Sequence, residues 1–417
     1  MTPLRSFFII WAGQAFSLLG SSLVQFALIW WLTDTTGSAT VLALASLVGL
    51  LPQIVLGPFM GVLVDRWDRR RIMLASDATV ALATLLLAYL FWRGSAGIGH
   101  VFAILFVRSL GGGFHWFAMQ TSTSLMVPEE HLTRVQGLNQ TLNGGLNIVG
   151  APLGALLLSV LPLQAILAID VVTALIAITP LLFIAIPRPV REAAAADGPF
   201  WRSFTGELLD GLRYVRAWRA LMLLMLTAGL INLLLHPAFA LLPILVTDHF
   251  QGEAIHLGGL EAAIGVGIVS GGLLLSVWGG FRRRIVTTLV GVSSLGVAFV
   301  LTSLTPTSLF GAAIVTMFIA GIAIAFTDGP LMAIVQATVA PEMQGRVFTL
   351  LLSIAKIMSP LGLVVAGPAA DLVGVRTWYL VSGIFTLIVA LGSALSPVLL
   401  NIETDRTQPV PAALPAD

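Results

Sequence analysis

The residues with the clearest chemical potential in this sequence are a few charged side chains inside long apolar stretches. Arg108 lies in LFVRSLGGGFHW, about 14 Å along a helix from Gly99 at 1.5 Å per residue. A charge at that depth is costly in an apolar environment, so it should face a cavity or a partner. Asp170 lies at a similar depth, and the spacing permits an Arg108–Asp170 pair. Asp328 and Lys356, the only lysine, are spaced for a second pair.

The chemistry that such groups support is the reversible binding of a proton. Glu261 has no basic neighbour in the sequence, and apolar surroundings suit a carboxylate to that task. For Asp34 and Asp77, near the ends of apolar stretches, a capping role is an equal alternative, and for His115 and His236 a hydrogen bond to a neighbour is favoured. The candidates for proton coupling are Asp34, Arg108, Asp170, Glu261, Asp328 and Lys356.

Other kinds of chemistry find no support in the sequence. There is no cysteine, and no phosphate-binding loop, nucleophile elbow or HExxH metal motif occurs. The sequence therefore predicts no enzyme activity, no metal site and no cofactor other than protons as a coupling ion. It also predicts no nucleic-acid partner.

The elements that must hold these side chains are membrane helices. The chain has 417 residues, of which 57% are hydrophobic and 10% charged, and its mean hydropathy is +0.98. A soluble domain would have about a quarter charged residues. Twelve apolar stretches are long enough to span a bilayer. They cover residues 7–33, 41–64, 72–92, 98–126, 134–159, 162–186, 219–247, 256–281, 285–304, 307–338, 345–370 and 376–400.

The placement of arginine predicts how these helices are oriented. With the N-terminus inside, seventeen arginines fall on the cytoplasmic side and two, Arg93 and Arg376, on the outer side. This is the distribution of the positive-inside rule. Both termini should therefore be cytoplasmic. The first stretch should be a retained span, because it is too long for a signal peptide and no cleavage site follows it.

The longest polar stretch divides the spans six and six. We predict six-helix bundles at 1–186 and 219–400, a cytoplasmic linker with an interfacial amphipathic helix at 187–218, and a disordered cytoplasmic tail at 401–417. The halves also share a pattern: Pro128-Glu129 and Arg134-Val135 match Pro341-Glu342 and Arg346-Val347, and Pro152-Leu153-Gly154 matches Pro360-Leu361-Gly362. Matches in one order indicate an internal duplication.

A cavity between such helices needs polar and aromatic side chains on its walls. Many of these residues pack between helices or lie at the membrane interface instead, as Trp often does. The candidates to line a substrate cavity are Gln14, Gln25, Trp30, Phe114, Trp116, Asn143, Asn232, Phe239 and Gln336.

One cytoplasmic loop concentrates charge in an ordered motif, G-x-L-x-D-R-x-x-R-R-R-x-x-L, from Gly61 to Leu74. Its members are Gly61, Asp65, Arg66, Arg69, Arg70 and Arg71. This motif resembles the loop between spans two and three of the major facilitator superfamily. The resemblance implies the major facilitator fold, an all-α membrane protein with twelve transmembrane helices, and a gating latch between its halves at Asp65. The counterpart in the second half keeps Arg282, Arg283 and Arg284 but has no acid.

Further motifs resemble the drug:proton antiporter branch of this superfamily, which includes macrolide efflux proteins and the enterobactin exporter. Gly150, Pro152 and Gly154 form a degenerate span-five antiporter motif, and Arg108 matches a span-four motif except that Gly111 replaces its Gln. WLTDTTGSA, AIDVVTAL and ELLDGLRYVRAWRAL are similar to segments of that branch.

The resemblance implies a monomer in the bacterial inner membrane that exports amphipathic small molecules, such as drugs or antibiotics, in exchange for protons. Two alternatives stay open on the same fold. One is a siderophore or nutrient transporter, and the other is a lysophospholipid transporter.

Overall fold

The computed structural model of the protein describes residues 3–186 and 211–404, and within these ranges it contains helices and no strands. Twelve long helices are each apolar enough to cross a membrane, which confirms the predicted fold class. In chain order they are α1 (Pro3–Thr36), α2 (Ala39–Arg66), α3 (Arg69–Trp92), α4 (Ile98–Met126), α5 (Glu129–Val160), α6 (Leu163–Phe183), α7 (Arg219–Ala240), α8 (Ala254–Trp278), α9 (Arg284–Leu304), α10 (Phe310–Thr338), α11 (Pro341–Val373) and α12 (Val375–Ala394).

Prolines mark two of the connections between these helices. Leu161 is extended before Pro162, and α6 begins one residue later. Pro306 likewise follows α9 and precedes a single 3₁₀ turn, Thr307–Leu309, ahead of α10. A residue before proline avoids the α conformation, so each stretch divides into two helices rather than forming one kinked helix. The twelve predicted spans are therefore separate helices.

Two predicted spans extend too far at their C-terminal ends. The seventh was expected to reach residue 247, but α7 ends at Ala240 and is followed by a short helix, Leu242–Ile244, and a π-helical turn, Leu245–His249. The twelfth was expected to reach residue 400, but α12 ends at Ala394. The cause is a proline in each case, since Pro243 and Pro397 lack the N–H that would continue the helix.

The predicted linker and tail lie largely outside the described residues. Of the linker, residues 211–217 are helical. Tyr214, Val215 and Trp218 are buried there, in an apolar cluster that also contains Val347 and Leu350 of α11. The apolar side of this short helix therefore packs on the protein, and its contact with the membrane surface stays a prediction.

The chain divides by packing into two compact units, residues 1–191 with 240–262, and residues 192–239 with 263–417. In the first unit α1 packs on α5 and α6, α3 on α4 and α6, and α2 on α4. In the second unit α9 packs on α10 and α12. The bounds that we predict for the two bundles stay a prediction.

Equivalent glycines hold equivalent helix pairs in the two units. A Cβ at Gly154 of α5 would lie 2.9 Å from Phe26 of α1, and a Cβ at Gly362 of α11 would lie 1.9 Å from the Leu233 carbonyl oxygen of α7. Small residues permit such close approach of membrane helices. The α1–α5 and α7–α11 contacts are related by the duplication that the sequence shows.

Candidate transport site

A cavity of about 420 Å³ lies within the first unit, between helices α1 to α6. Its lining contains six predicted site residues, Gln14, Gln25, Arg108, Trp116, Asn143 and Asp170. It also contains polar residues that we did not place in the site, among them Gln53, Asp77, His115, Gln120 and Asn139. Apolar side chains such as Leu18, Leu105 and Leu142 complete the wall. The space is therefore amphipathic, with ionisable groups contributed by α3, α4 and α6.

Arg108 and Asp170 form a buried ion pair at one end of this cavity. Arg108 Nη1 donates to Asp170 Oδ2, and the side chains are 9% and 2% exposed. Thr84 and Ser21 donate their hydroxyls to the two carboxylate oxygens, over 3.3 Å and 3.1 Å. The guanidinium also contacts Thr84 Oγ1 at 2.6 Å. Every oxygen of Asp170 thus has partners, and its charge is neutralised.

The contact depends on a close approach of α1 to α6. A Cβ at Gly20 would lie 2.1 Å from Thr173 Oγ1 and 3.1 Å from the Cα atom of Asp170. Because glycine has no side chain, α1 reaches α6 closely enough for Ser21 to bond Asp170. The pair that the sequence permits is therefore present, and it includes two hydroxyl groups that the sequence did not indicate.

A second acid, Asp77 of α3, occupies a different part of the cavity. Asp77 Oδ2 accepts a hydrogen bond of 3.1 Å from Gln14 Nε2 of α1. Asp77 Oδ1 lies 2.8 Å from His115 Nδ1 of α4, at an angle that does not make a hydrogen bond. Unlike Asp170, Asp77 has a neutral amide and a titratable imidazole as partners instead of an arginine.

Packing of α3 against α4 brings Asp77 and His115 together. A Cβ at Gly111 would lie 2.6 Å from Val80 of α3. Gly111 is where the span-four motif of the superfamily has Gln, and here the small residue lets the two helices meet. Sequence reasoning set Asp77 aside as an end-of-span acid, although α3 begins at Arg69 and places Asp77 about 12 Å along the helix.

Other predicted cavity residues lie elsewhere. Phe114 lines a separate groove of about 650 Å³ between α3 and α4, with Trp67 and Arg71. Trp30 is not part of the cavity lining. In the second unit Asn232 donates to the Ala228 carbonyl oxygen of its own helix over 2.9 Å. Phe239 packs edge-on against Phe299 at 5.3 Å between centroids, and Gln336 is exposed.

Four of the proton-coupling candidates have no partner of this kind. Asp34, Asp328 and Lys356 are exposed, and Glu261 is half-buried. Within residues 3–186 and 211–404 none of the four makes an ion pair or a side-chain hydrogen bond, so the structure does not form the Asp328–Lys356 pair that the spacing permits. Their role in proton coupling stays a prediction.

Three arginines of the loop motif lie in the first turn of α3, and two of them contact neighbouring helices. Arg70 donates from Nε and Nη2 to the carbonyl oxygens of Leu181 and Leu182, at the end of α6, and Arg69 donates to the Thr121 carbonyl oxygen of α4 over 3.3 Å. The side chains of Asp65 and Arg66, and the surroundings of Gly61, lie outside the described part of the structure. The latch at Asp65 therefore stays a prediction.

The span-five motif is part of the packing of the first unit. A Cβ at Gly150 would lie 2.2 Å from Ser22 Oγ, and Gly154 lies against Phe26, both on α1. Pro152 lies inside α5 without ending it. Among the residues that the structure describes, no three His, Asp or Glu side chains come together to hold a metal ion.

Comparison with known proteins shows which family has this architecture. The family model described as Major Facilitator Superfamily matches residues 10–363. The chain belongs to the Major Facilitator Superfamily. It is 37% identical over 385 residues to macrolide efflux protein A of Streptococcus pyogenes, covering 92% of this chain and 94% of that relative. It is 28% identical to the multidrug efflux pump Tap of Mycolicibacterium fortuitum, covering 92% and 94% of the two chains.

A solved structure shares the fold of this superfamily member. It is the crystal structure of a bacterial homologue of the human lysosomal transporter Spinster, inward-facing and unoccupied, with a TM-score of 0.74 at 15% identity, covering 99% of both chains. At that identity the likeness concerns the fold alone. The chain is therefore a multi-pass membrane transporter of the Major Facilitator Superfamily, with macrolide and multidrug efflux proteins among its relatives.

Proposed function

We propose that this chain exports amphipathic small molecules, macrolides among them, across the bacterial cytoplasmic membrane in exchange for protons. Relatives named for macrolide and multidrug efflux support the substrate class. The observation that carries the proposal is the cavity of the first unit, which combines an apolar wall, neutral amides and two buried carboxylates with different partners. No further cofactor is needed, and the chain acts as a monomer.

The walls of the cavity suit ligands that differ in shape but are all partly apolar and partly polar. Leu18, Leu105 and Trp116 offer apolar surface, while Gln25 and Asn143 offer amides that both donate and accept hydrogen bonds. Sites for small molecules in proteins have volumes of about 300–1,000 Å³, and this cavity lies in that range. Apolar contact then supplies affinity, and a few polar groups orient the ligand.

The charges of the cavity supply the coupling. Arg108 and Asp170 form a buried ion pair, and breaking it would leave a buried arginine without its partner. Protons therefore exchange at other ionisable groups that face the cavity. In alternating access the two halves of a transporter of this superfamily open the site to each side of the membrane in turn. If substrate and proton cannot occupy the site together, each outward step of the substrate is followed by an inward step of a proton.

The test measures erythromycin in bacteria that lack their own major efflux pumps. Cells that express the chain should accumulate several-fold less labelled erythromycin than cells with an empty vector. A protonophore should restore accumulation, because it removes the proton gradient. Asp170→Asn should abolish the difference at equal membrane abundance.

Two results would contradict the proposal in different ways. Equal accumulation in expressing and control cells would exclude macrolide export, and proteoliposome uptake of siderophores and lysophospholipids would then separate the alternatives. Export that is unaffected by the protonophore would exclude coupling to protons.

A further inference from the structure

We infer that Asp77 and His115 form a cation-exchange site, in which the positively charged group of a substrate takes the place of a proton held by His115 beside Asp77. The inference rests on the proposed function and deepens it. It names the chemical class that the cavity recognises, an organic cation, and the side chain that releases the proton.

The two oxygens of the Asp77 carboxylate have different neighbours. One carboxylate oxygen accepts from the Gln14 amide at 3.1 Å, which orients the group without neutralising it. The other oxygen lies 2.8 Å from His115 Nδ1. That nitrogen is buried and makes no hydrogen bond to any described residue. Among the described residues, Asp77 is the acid that lies within ion-pair distance of that nitrogen.

The charges that line the cavity leave Asp77 without a permanent positive partner. Four ionisable side chains line the cavity, Asp77 on α3, Arg108 and His115 on α4, and Asp170 on α6. The lining residues of α1, α2 and α5 are neutral, with amides at Gln14, Gln53 and Asn139. Arg108 and Asp170 neutralise each other. Among the lining residues only a protonated His115 can balance the charge of Asp77, so without that proton the site attracts a cation.

The Asp77–His115 group is separated from the Arg108–Asp170 pair in the direction of α4. His115 lies seven residues after Arg108 on α4, a rise of about 10 Å at 1.5 Å per residue. The Asp77–His115 group therefore lies on the Met126 side of the Arg108–Asp170 pair. With the predicted orientation, this is the cytoplasmic side, from which an exported substrate enters the protein.

The exchange balances in atoms and charge. Before substrate binds, Asp77 is a carboxylate and His115 an imidazolium, and their charges sum to zero. When an organic cation binds beside Asp77, the Nδ1–H bond of His115 breaks and the proton passes to water on the side to which the cavity is open. The site then contains a carboxylate, a neutral imidazole and the cation, which again sum to zero. A proton that arrives from the other side reverses the steps, so one proton moves for each monovalent cation.

The experiment uses tetraphenylphosphonium, a permanent cation with no exchangeable proton. The purified full chain in detergent is titrated with this probe near pH 6, where histidine is normally partly protonated. Calorimetry in buffers of different ionisation enthalpy gives the number of protons released. Up to one proton should be released for each cation bound, and the affinity should be lower in more acidic buffer because protons compete.

Variants distinguish the roles of the Asp77 and His115 side chains. Asp77→Asn should weaken binding at least tenfold, and Asp77→Glu should recover part of that loss. His115→Gln should bind the cation without releasing a proton, and its affinity should no longer fall at low pH. Glu130→Gln and His131→Gln, at the start of α5 outside the cavity, make the same chemical changes and should behave as the unaltered chain.

Several results would overturn the inference. These are absence of tetraphenylphosphonium binding, equal affinity of Asp77→Asn and the unaltered chain, or unchanged proton release by His115→Gln. If Asp77→Asn does not elute as a single species, His115→Gln decides the question alone. Failure here leaves the proposed function standing when erythromycin export remains sensitive to a protonophore, whereas loss of that export contradicts the proposed function whatever the binding experiment gives.

Discussion

At the scale of single residues, the two cavity acids differ in what balances their charge. The Asp170 carboxylate is bonded by an arginine and two hydroxyl groups, whereas the Asp77 carboxylate is bonded by an amide and lies beside an imidazole. An arginine stays protonated under all ordinary conditions, but a histidine changes its charge near neutral pH. The Arg108–Asp170 pair therefore provides fixed structure, and Asp77 is the acid whose surroundings can change during transport.

Removing one partner of the fixed pair should destabilise the protein strongly. In Arg108→Gln, the buried Asp170 retains only hydroxyl donors, and breaking a buried pair in this way costs about 3–5 kcal/mol. The thermal midpoint of the purified protein should fall well below that of the unaltered chain. Arg108→Gln with Asp170→Asn should recover part of the loss, because no unpaired charge remains.

Arg93→Gln is the matched control for this comparison. Arg93 is exposed and contacts Tyr89 OH at 3.2 Å, so its replacement should leave the midpoint nearly unchanged. A single Arg108→Gln variant that is as stable as the Arg93 control would show that the buried pair does not stabilise the unit.

At the scale of helices, α8 and α10 of the second unit approach each other closely on both sides of their contact. A Cβ at Gly267 would lie 2.2 Å from the Phe318 carbonyl oxygen, and one at Gly321 would lie 2.2 Å from the Ile264 carbonyl oxygen. Both obstacles are backbone atoms, which cannot turn aside as a side chain does. The two helices can pack this closely only with glycine at both positions.

Gly267→Ala should therefore lower stability, by about 1–3 kcal/mol as for other overpacked sites. Gly272→Ala on the same helix is the control, because nothing lies within 4 Å of a Cβ there and alanine favours helix. Thermal unfolding of the two variants should shift in opposite directions or by clearly different amounts. Equal midpoints would show that α8 and α10 separate without cost.

The arginines in the first turn of α3 give a second prediction at this scale. Arg70 bonds two carbonyl oxygens at the end of α6, where a helix leaves its last carbonyls unsatisfied and favours positive charge. Arg70→Ala should lower the thermal midpoint more than Arg71→Ala, which removes the same charge from an exposed neighbour. Arg70→Lys should fall between them, since lysine retains the charge but not the planar fork. The opposite order would exclude this capping role.

At the scale of the whole molecule, the sequence predicts the helices well because long apolar stretches have few alternatives. It also predicts the Arg108–Asp170 contact, since depth along a helix follows from residue count. It does not predict which side of a helix faces the cavity. Most of these helices are apolar all round, so Phe114 and Trp116, two residues apart on α4, gave no signal that only Trp116 lines the cavity.

Asp77 was not predicted as a site residue for a related reason. The apolar stretch begins at residue 72, so Asp77 resembled a carboxylate at the edge of a span. The helix itself begins at Arg69, where Asp68 caps it, and Asp77 lies two turns inside. The start of hydrophobicity and the start of a helix are different properties, and only the second sets the depth of a side chain.

The distribution of charge predicts the orientation of the whole chain, and single introduced cysteines can test it because the chain has no cysteine of its own. Ser95, between α3 and α4, should lie outside, and Glu130, at the start of α5, should lie inside. A membrane-impermeant maleimide should therefore label Ser95→Cys in intact cells and Glu130→Cys only after the membrane is permeabilised. The reverse pattern would contradict the predicted orientation, in which most arginines stay on the cytoplasmic side because that side retains positively charged loops.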